Sequence, residues 1–418
     1  MLVFKFGGAS VKDANGIINL GGVVKKFDSE KLLIVVSAMG KTTNALERLT
    51  KAYVDSDDGL QRIFDEIKTY HYNIMEALFE PHHPIYNEVA NTFVEIDWVL
   101  EDEPHDDYDF IYDQIVSIGE LVSTRIVNAY LNLIGIKSHW LDVRGYVQTD
   151  NTYREGVVQW DKTCAAVNKD IPPLLENGRV VTQGFLGGTS ENFTTTLGRE
   201  GSDYTASIFA ACLGAESVTT WKDVPGILNA DPKLFDDTVK FDELSYAEAI
   251  EMTYYGASVI HPKTIKPLQN EKIPLLVKSF THPDEPGTII HEKSENKFVK
   301  PVIIVKPNQV LLSISPRDYS FISEQQLSSI FKVLSQCQVK VNVMQTSALS
   351  FTVCFDLYEE RFKKLRQALE AGFKTKFNDN LTLITVRHYS PQTLEELTTG
   401  KNILMEQLSR NTIQLVVR

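Results

Sequence analysis

The chain has 418 residues, room for two or three domains at about 150 residues each. Hydrophobic residues make up 43 % and charged residues 23 %, so a sizeable core can form without a disulfide or metal staple. Its 42 basic and 55 acidic residues leave a net charge of −13, which argues against nucleic acid or anionic membrane as a main partner, because a phosphate surface needs a basic face.

The opening MLVFKFGGAS is a strand running into a glycine turn. It has no basic n-region and no long apolar h-region, and no apolar run in the chain reaches the roughly 18 residues of a membrane span. A cytoplasmic protein is expected. Leu2–Phe6 is the first strand, and Val11–Phe27 is expected to be a helix with Ser10 as its N-cap. LLIVVS at 32–37 has the pattern of a buried strand, and a helix follows from about Asn44. Residues 51–115, richer in acids, histidines and aromatics, read as a helical insertion over the surface. Gly119–Leu133 has an amphipathic helix pattern, Lys137–Leu141 and Arg179–Gln183 read as strands, Ser202–Leu213 as a helix and Val218–Trp221 as a strand. This alternation predicts an α/β fold with a mainly parallel sheet covered on both faces.

Charges and two prolines at 291–308 predict a linker. Beyond it come a strand at Val310–Ile314, a helix at Glu324–Gln336, a hairpin from Lys340–Thr346 and Ser350–Asp356, a helix at Glu359–Ala371 and a strand at Leu381–Arg387. Two short strands near Ile403–Gln407 and Thr412–Val417 complete an α+β module of ferredoxin-like kind with a partial second copy. The four cysteines, Cys164, Cys212, Cys337 and Cys354, form no CxxC pair and no zinc spacing, so reduced thiols are expected and no metal ligands are assigned.

Three clusters carry candidate chemistry. Lys5, Gly7 and Gly8 stand at a strand end, where glycines let the backbone approach a phosphate and a lysine adds charge; a plain βα turn explains the same residues. TTTLGREGSD at 194–203 opens a helix. Ser202 and Asp203 would serve there as ordinary caps, whereas Arg199 between glycines suits a carboxylate or phosphate. WKDVPGILNADPK at 221–233 reads either as a surface loop or as a nucleotide loop that brings Lys233 near phosphates. Ser37 and Thr43 follow the second strand, and ligands of open α/β sheets bind beyond such carboxyl ends. Glu120 sits in the first turn of a helix, where dipole stabilisation alone would favour it. His261, followed by Pro262, reads as structural.

Taken in order, KFGGAS at 5–10, VVSAMGKTTN at 35–44, GE at 119–120, TTTLGREGSDYTA at 194–206, KDVPGILNADP at 222–232 and GASVIHPKT at 256–264 resemble the aspartate kinases of the amino-acid kinase superfamily. The resemblance implies a three-layer αβα sandwich over 1–295, which includes the 51–115 insertion, and an ACT regulatory region over 305–418 with one fairly complete and one truncated unit. It implies ATP-dependent phosphorylation of the L-aspartate side-chain carboxylate to 4-phospho-L-aspartate, the first step toward lysine, threonine and methionine. By the same resemblance Lys5 stabilises the transferring phosphoryl group and Asp203 orients Lys5. Ser37, Thr43, Glu120, Arg199 and Ser202 line the aspartate pocket. Gly7, Gly8, Lys222, Asp223, Leu228 and Lys233 hold the nucleotide, and Mg²⁺ is held mainly by ATP phosphates. An amino-acid effector in the ACT region and a homodimer are the further implications. No dehydrogenase segment follows, so a monofunctional enzyme is expected.

The chain departs from the family at Glu200, where glycine is usual, and at Ser258, where lysine is frequent. Asn342 stands where some lysine-inhibited relatives carry an acid. A superfamily kinase acting on another carboxylate and a non-catalytic, amino-acid-sensing paralogue are the alternative readings.

Overall fold

The computed structural model describes residues 1–257, 260–293, 300–318 and 320–418. Ser258 lies outside them. In chain order the elements are β1 (Leu2–Phe6), α1 (Ala14–Lys25), β2 (Leu32–Val36), α2 (Thr42–Val54), α3 (Leu60–Glu76), α4 (Ile85–Leu100), α5 (Tyr108–Val116), α6 (Ile118–Leu133), β3 (Ser138–Leu141), α7 (Trp160–Asn177), β4 (Arg179–Gln183), β5 (Leu186–Gly188), β6 (Thr194–Thr196), α8 (Gly201–Leu213), β7 (Ser217–Lys222), β8 (Glu243–Ser245), α9 (Tyr246–Tyr254), α10 (Pro262–Glu271), β9 (Leu275–Ser279) and β10 (Thr288–His291). They continue as β11 (Val302–Pro316), α11 (Glu324–Gln336), β12 (Val341–Thr346), β13 (Phe351–Asp356), α12 (Glu359–Glu370), β14 (Phe373–Arg387), α13 (Pro391–Thr398), β15 (Ile403–Leu408) and β16 (Thr412–Val417). The chain divides into two compact units, one of residues 1–227, 240–250 and 258–295, the other of 228–239, 251–257 and 296–418.

In the first unit eight strands form one sheet in the order β3-β4-β2-β1-β7-β9-β10-β8. All neighbours run parallel except β9 with β10. The apolar runs of β1 and β2 explain their central places, since every residue of β2 is buried, as central parallel strands require. Phe4 and Phe6 pack on Trp221 from the neighbouring strand β7. Among the described residues no helix is long and apolar enough to cross a membrane.

Several expectations change here. The expected helix from Val11 begins later: residues 8–11 form a single 3₁₀ turn, and Asp13, not Ser10, caps α1 by accepting from the Gly16 N–H at 2.8 Å. The helix α6 is not amphipathic in effect, because most of its length from Ile118 to Val127 is buried. Residues 51–115 are helical, and their last helix also grips strand β6. The thiols of Cys164 and Cys212 are not reduced; they form a disulfide that ties α7 to α8. Cys337 and Cys354 are free.

In the second unit six antiparallel strands form a sheet in the order β12-β13-β11-β14-β16-β15. The segment expected to be a linker is in part a strand, because Val302 and Ile304 turn inward and pair with Arg387 and Thr385 of β14. Asn308, at φ +56, lies at a register shift that divides β11 into two halves. Residues 309–316 begin a βαββαβ arrangement that ends in the first part of β14. Residues 302–306 supply a strand to the second, smaller half, beside the end of β14, the eight-residue α13, β15 and β16. The smaller half thus takes one strand from upstream of the larger one. Asn342, on β12, accepts from Lys306 Nζ at 3.0 Å and donates to Gln309 Oε1 at 2.8 Å.

Candidate active site

The parallel register sets the site. Phe6 lies opposite Val36 on one side and Trp221 on the other, so Gly7, Ser37 and Lys222 follow one another at the carboxyl edge of three adjacent strands. Val36 in turn faces Gln183, which brings Gly184 to the same edge. Clefts at such edges are where open α/β sheets bind ligands.

The turn after β1 packs into the turn after β2. The Gly40 N–H donates to the Gly8 carbonyl at 2.9 Å, and the Ser37 N–H to the Phe6 carbonyl at 3.1 Å. A Cβ on Gly8 would lie 2.6 Å from the Ala38 carbonyl oxygen and 2.9 Å from that of Gly40, so only glycine fits there. A Cβ on Gly7 would meet nothing nearer than Lys5 Nζ at 3.5 Å, so its backbone lies beside the ammonium group.

Lys5, on β1, is 8 % exposed and places Nζ 2.7 Å from Asp203 Oδ1. Asp203 is in the first turn of α8 and 4 % exposed, and Lys222 Nζ lies 3.9 Å from its Oδ2. Burial opposes ionisation of Asp203, but the Lys5 and Lys222 charges outweigh it and hold the carboxyl below its usual range. Neither Ser202 nor Asp203 caps the helix. The cap position belongs to Glu200, in the left-handed region at φ 56, and no side chain bonds there. A Cβ on Gly184 would fall 2.4 Å from Ser202 Cβ, so the start of α8 packs directly on the end of β4.

Glu120, in α6, is 2 % exposed. Its Oε1 accepts a long hydrogen bond from the Ala38 N–H at 3.4 Å, while Oε2 is buried with no hydrogen-bond partner. Burial pushes this carboxyl up to about 8, partly offset by the Ala38 N–H and by Lys5. A buried acid in this state is prepared to receive a cationic group. Ser37 is half-buried, its carbonyl accepting from Ser123 Oγ at 2.7 Å. Thr43 is half-buried in the first turn of α2, where its neighbour Thr42 donates to the Met39 carbonyl at 2.6 Å. Arg199 is exposed in a loop between Gly198, at φ +77, and Glu200.

The structure therefore brings Lys5, Gly7, Gly8, Ser37, Glu120, Lys222, Ser202 and Asp203 to one region of the first unit. Asp223 is exposed just beyond Lys222. Leu228 and Lys233 belong to the second unit, Lys233 being exposed with its N–H on Asp231 Oδ1 at 2.9 Å. His261 is the N-cap of α10, its Nδ1 accepting from the Lys263 N–H at 3.2 Å. Among the described residues no group of three or more His, Cys, Asp or Glu side chains is arranged to hold a metal. No motif singles out Asp113 and Gln114, consecutive residues of α5 that bond to β6; a lone acid inside a helix pattern is indistinguishable from a solvated one.

The profile of the amino acid kinase family matches residues 1–279. The chain is 32 % identical over 356 residues to lysine-sensitive aspartokinase 3 of Escherichia coli (strain K12), covering 85 % of this chain and 78 % of that protein. It is 31 % identical to the chloroplastic aspartokinase 2 of Arabidopsis thaliana, covering 85 % of this chain and 66 % of that one. Among solved structures, E. coli aspartokinase III in complex with aspartate and ADP superposes with a TM-score of 0.84 at 28 % identity, over 100 % of this chain and 96 % of that one. The same enzyme in complex with lysine and aspartate gives the same score, identity and coverage. The aspartate kinase of Clostridium acetobutylicum, at 22 % identity and a TM-score of 0.78 over 96 % of its length, shares the fold. The chain belongs to the amino acid kinase family and, within it, to the aspartokinases.

Proposed function

We propose that the chain transfers the γ-phosphoryl group of ATP to the side-chain carboxylate of L-aspartate, yielding ADP and 4-phospho-L-aspartate. The observation that carries this reading is the buried Lys5–Asp203 pair beside the Gly7-Gly8 turn. A carboxylate is already a nucleophile at neutral pH, so no general base is required. Catalysis then consists of bringing two anions together in line and stabilising the charge between them. An aspartate oxygen bonds to the γ-phosphorus as the bond to the β–γ bridging oxygen breaks, and that oxygen leaves as part of ADP.

Lys5 follows the negative charge on the transferring group, and Asp203 fixes the direction of its ammonium. The backbone at Gly7 and Gly8 approaches the phosphates where a Cβ is excluded, and Lys222 adds a second positive charge. Glu120 receives the substrate ammonium, Arg199 its α-carboxylate, and Ser37, Thr43 and Ser202 its remaining polar groups. Asp223, Leu228 and Lys233 serve the nucleotide. Asp203 is engaged by two lysines, which fits a Mg²⁺ ion carried mainly by the phosphates and water. Such an ion would neutralise phosphate charge. We assign residues 1–295 to catalysis and 305–418 to an ACT region that binds an amino-acid effector, in a cytoplasmic homodimer.

The experiment is aspartate-dependent ADP release, with glutamate in parallel and lysine or threonine added. Turnover of aspartate well above that of glutamate supports the assignment; equal turnover overturns it. Inhibition by one added amino acid identifies the effector.

A further inference from the structure

We infer that Asp113 and Gln114 are positioning residues for the aspartate arm of the site, acting through the loop that carries Arg199. The inference rests on the reading of Arg199 given above. Strand β6 is three residues long and among the described residues pairs in a sheet only with β5, too little sheet to hold a loop by itself. Two consecutive side chains of α5 supply the missing edge. Gln114 pairs with Thr194 as a neighbouring strand would: its Nε2 donates to the Thr194 carbonyl at 2.9 Å, and the Thr194 N–H donates to its Oε1 at 3.2 Å. Asp113 holds the other end, with Oδ2 accepting from the Thr196 N–H at 2.9 Å and Oδ1 from Thr196 Oγ1 at 2.7 Å.

The same carboxylate also fixes the wall behind the loop. Its Oδ2 accepts from the Arg154 N–H at 2.8 Å, and a Cβ on Gly198 would lie 3.1 Å from the Arg154 carbonyl oxygen. The Gly156 N–H then closes on the Thr196 carbonyl at 2.8 Å. Asp113 is completely buried, so a carboxylate there is tolerable only because three donors converge on it. Arg199 follows Thr196 by three residues, and rotation of that short strand on loss of the clamp would carry the guanidinium away from its ligand. The last helix of the 51–115 segment thus serves the substrate loop.

The test uses the full chain, with kcat and both KM values measured for Asp113→Ala, Asp113→Asn and Gln114→Ala, and for Asp113→Ala combined with Arg199→Ala. Asp113→Ala is expected to raise the KM for aspartate about tenfold or more, with the KM for ATP within about twofold. Asp113→Asn is expected to return to within about threefold of the parent, because its amide oxygen still accepts both N–H groups and its NH₂ can donate to Thr196 Oγ1. Gln114→Ala, which leaves the carboxylate in place, raises the aspartate KM about threefold or more. In the Arg199→Ala background, Asp113→Ala adds less than about twofold, since the two act through one contact. Equal changes in both KM values, failure of asparagine to rescue, or full additivity with Arg199→Ala overturns the inference. If Arg199→Ala alone leaves the aspartate KM unchanged, the role of Arg199 falls; an aspartate-selective effect of Asp113→Ala still supports the clamp, and a nonselective one ends both.

Discussion

Lys5 and Asp203, 198 positions apart in sequence, meet at 2.7 Å where β1 ends and α8 begins, both almost wholly buried. Burying such a pair costs desolvation energy that its attraction need not recover, so it is weak evidence for stability and better evidence for a charge held ready. Lys5→Met is expected to lower kcat by about 10²–10³-fold, the scale of removing one preorganised group from a developing anion. Asp203→Asn leaves the ammonium present and costs less in kcat. Steady-state kinetics on folded variants checks the order; a smaller loss for Lys5→Met than for Asp203→Asn contradicts it.

Glu120 predicts a proton linked to aspartate binding. Burial lifts its carboxyl to about 8, so it is largely protonated at pH 7 before substrate arrives. An ammonium against it favours the ionised form, so aspartate binding at pH 7 should release up to one proton. Calorimetry in buffers of different ionisation enthalpy reads this directly, and an absence of buffer dependence rejects it.

The same group bears on stability. The folded chain retains a proton that the unfolded chain loses above its ordinary value of 4.5, so this contribution falls as pH rises from there to about 8. Glu120→Gln should therefore gain on the parent protein between pH 5 and pH 8.5, by up to about 4 kcal/mol. Melting curves at the two pH values check it; a parallel shift at both contradicts it.

The two glycines of the first turn should separate. Gly8→Ala drives a methyl against the Ala38 and Gly40 carbonyls and should cost about 1–3 kcal/mol of stability along with ATP affinity. Gly7→Ala meets only Lys5 Nζ at 3.5 Å, so it should keep the melting temperature while raising the KM for ATP. Equal destabilisation by both would refute this reading of the turn.

The Cys164–Cys212 disulfide closes a sequence separation of 48 residues. Loop-closure entropy gives about 4 kcal/mol as an upper figure, and 2–4 kcal/mol is the usual range. The Cys164→Ser, Cys212→Ser double variant should lose stability by about that amount in urea, and reductant should do the same to the parent but not to the variant. Equal stability with and without reductant contradicts the pairing.

Much of the sheet was legible because LLIVV is an unbroken apolar run and LVFKF is broken only by Lys5, the mark of strands buried on both faces. The hairpin of β5 and β6 was not, since LGG and TTT show no alternation, and α7 is obscured by Pro172 and Pro173 in its interior. VIIV at 302–305 was hidden by flanking lysines and prolines, and only its pairing with the end of β14 makes it a strand. Glycines and charged residues at strand ends pointed to the site. What they could not convey was which charges meet. The Lys5–Asp203 contact depends on strand register and the seating of α8, the disulfide on how α7 lies against α8, and the Asp113 clamp on a helix with no motif of its own.

Phosphoryl transfer at Lys5 is tested most directly by aspartyl phosphate formation from ATP, Mg²⁺ and L-aspartate, trapped as the hydroxamate, for the parent chain and Lys5→Met side by side. Aspartate-dependent product is expected from the parent, with a loss of at least about a hundredfold in the variant and its melting temperature retained. No product from the parent, or near-parental product from the variant, would contradict it.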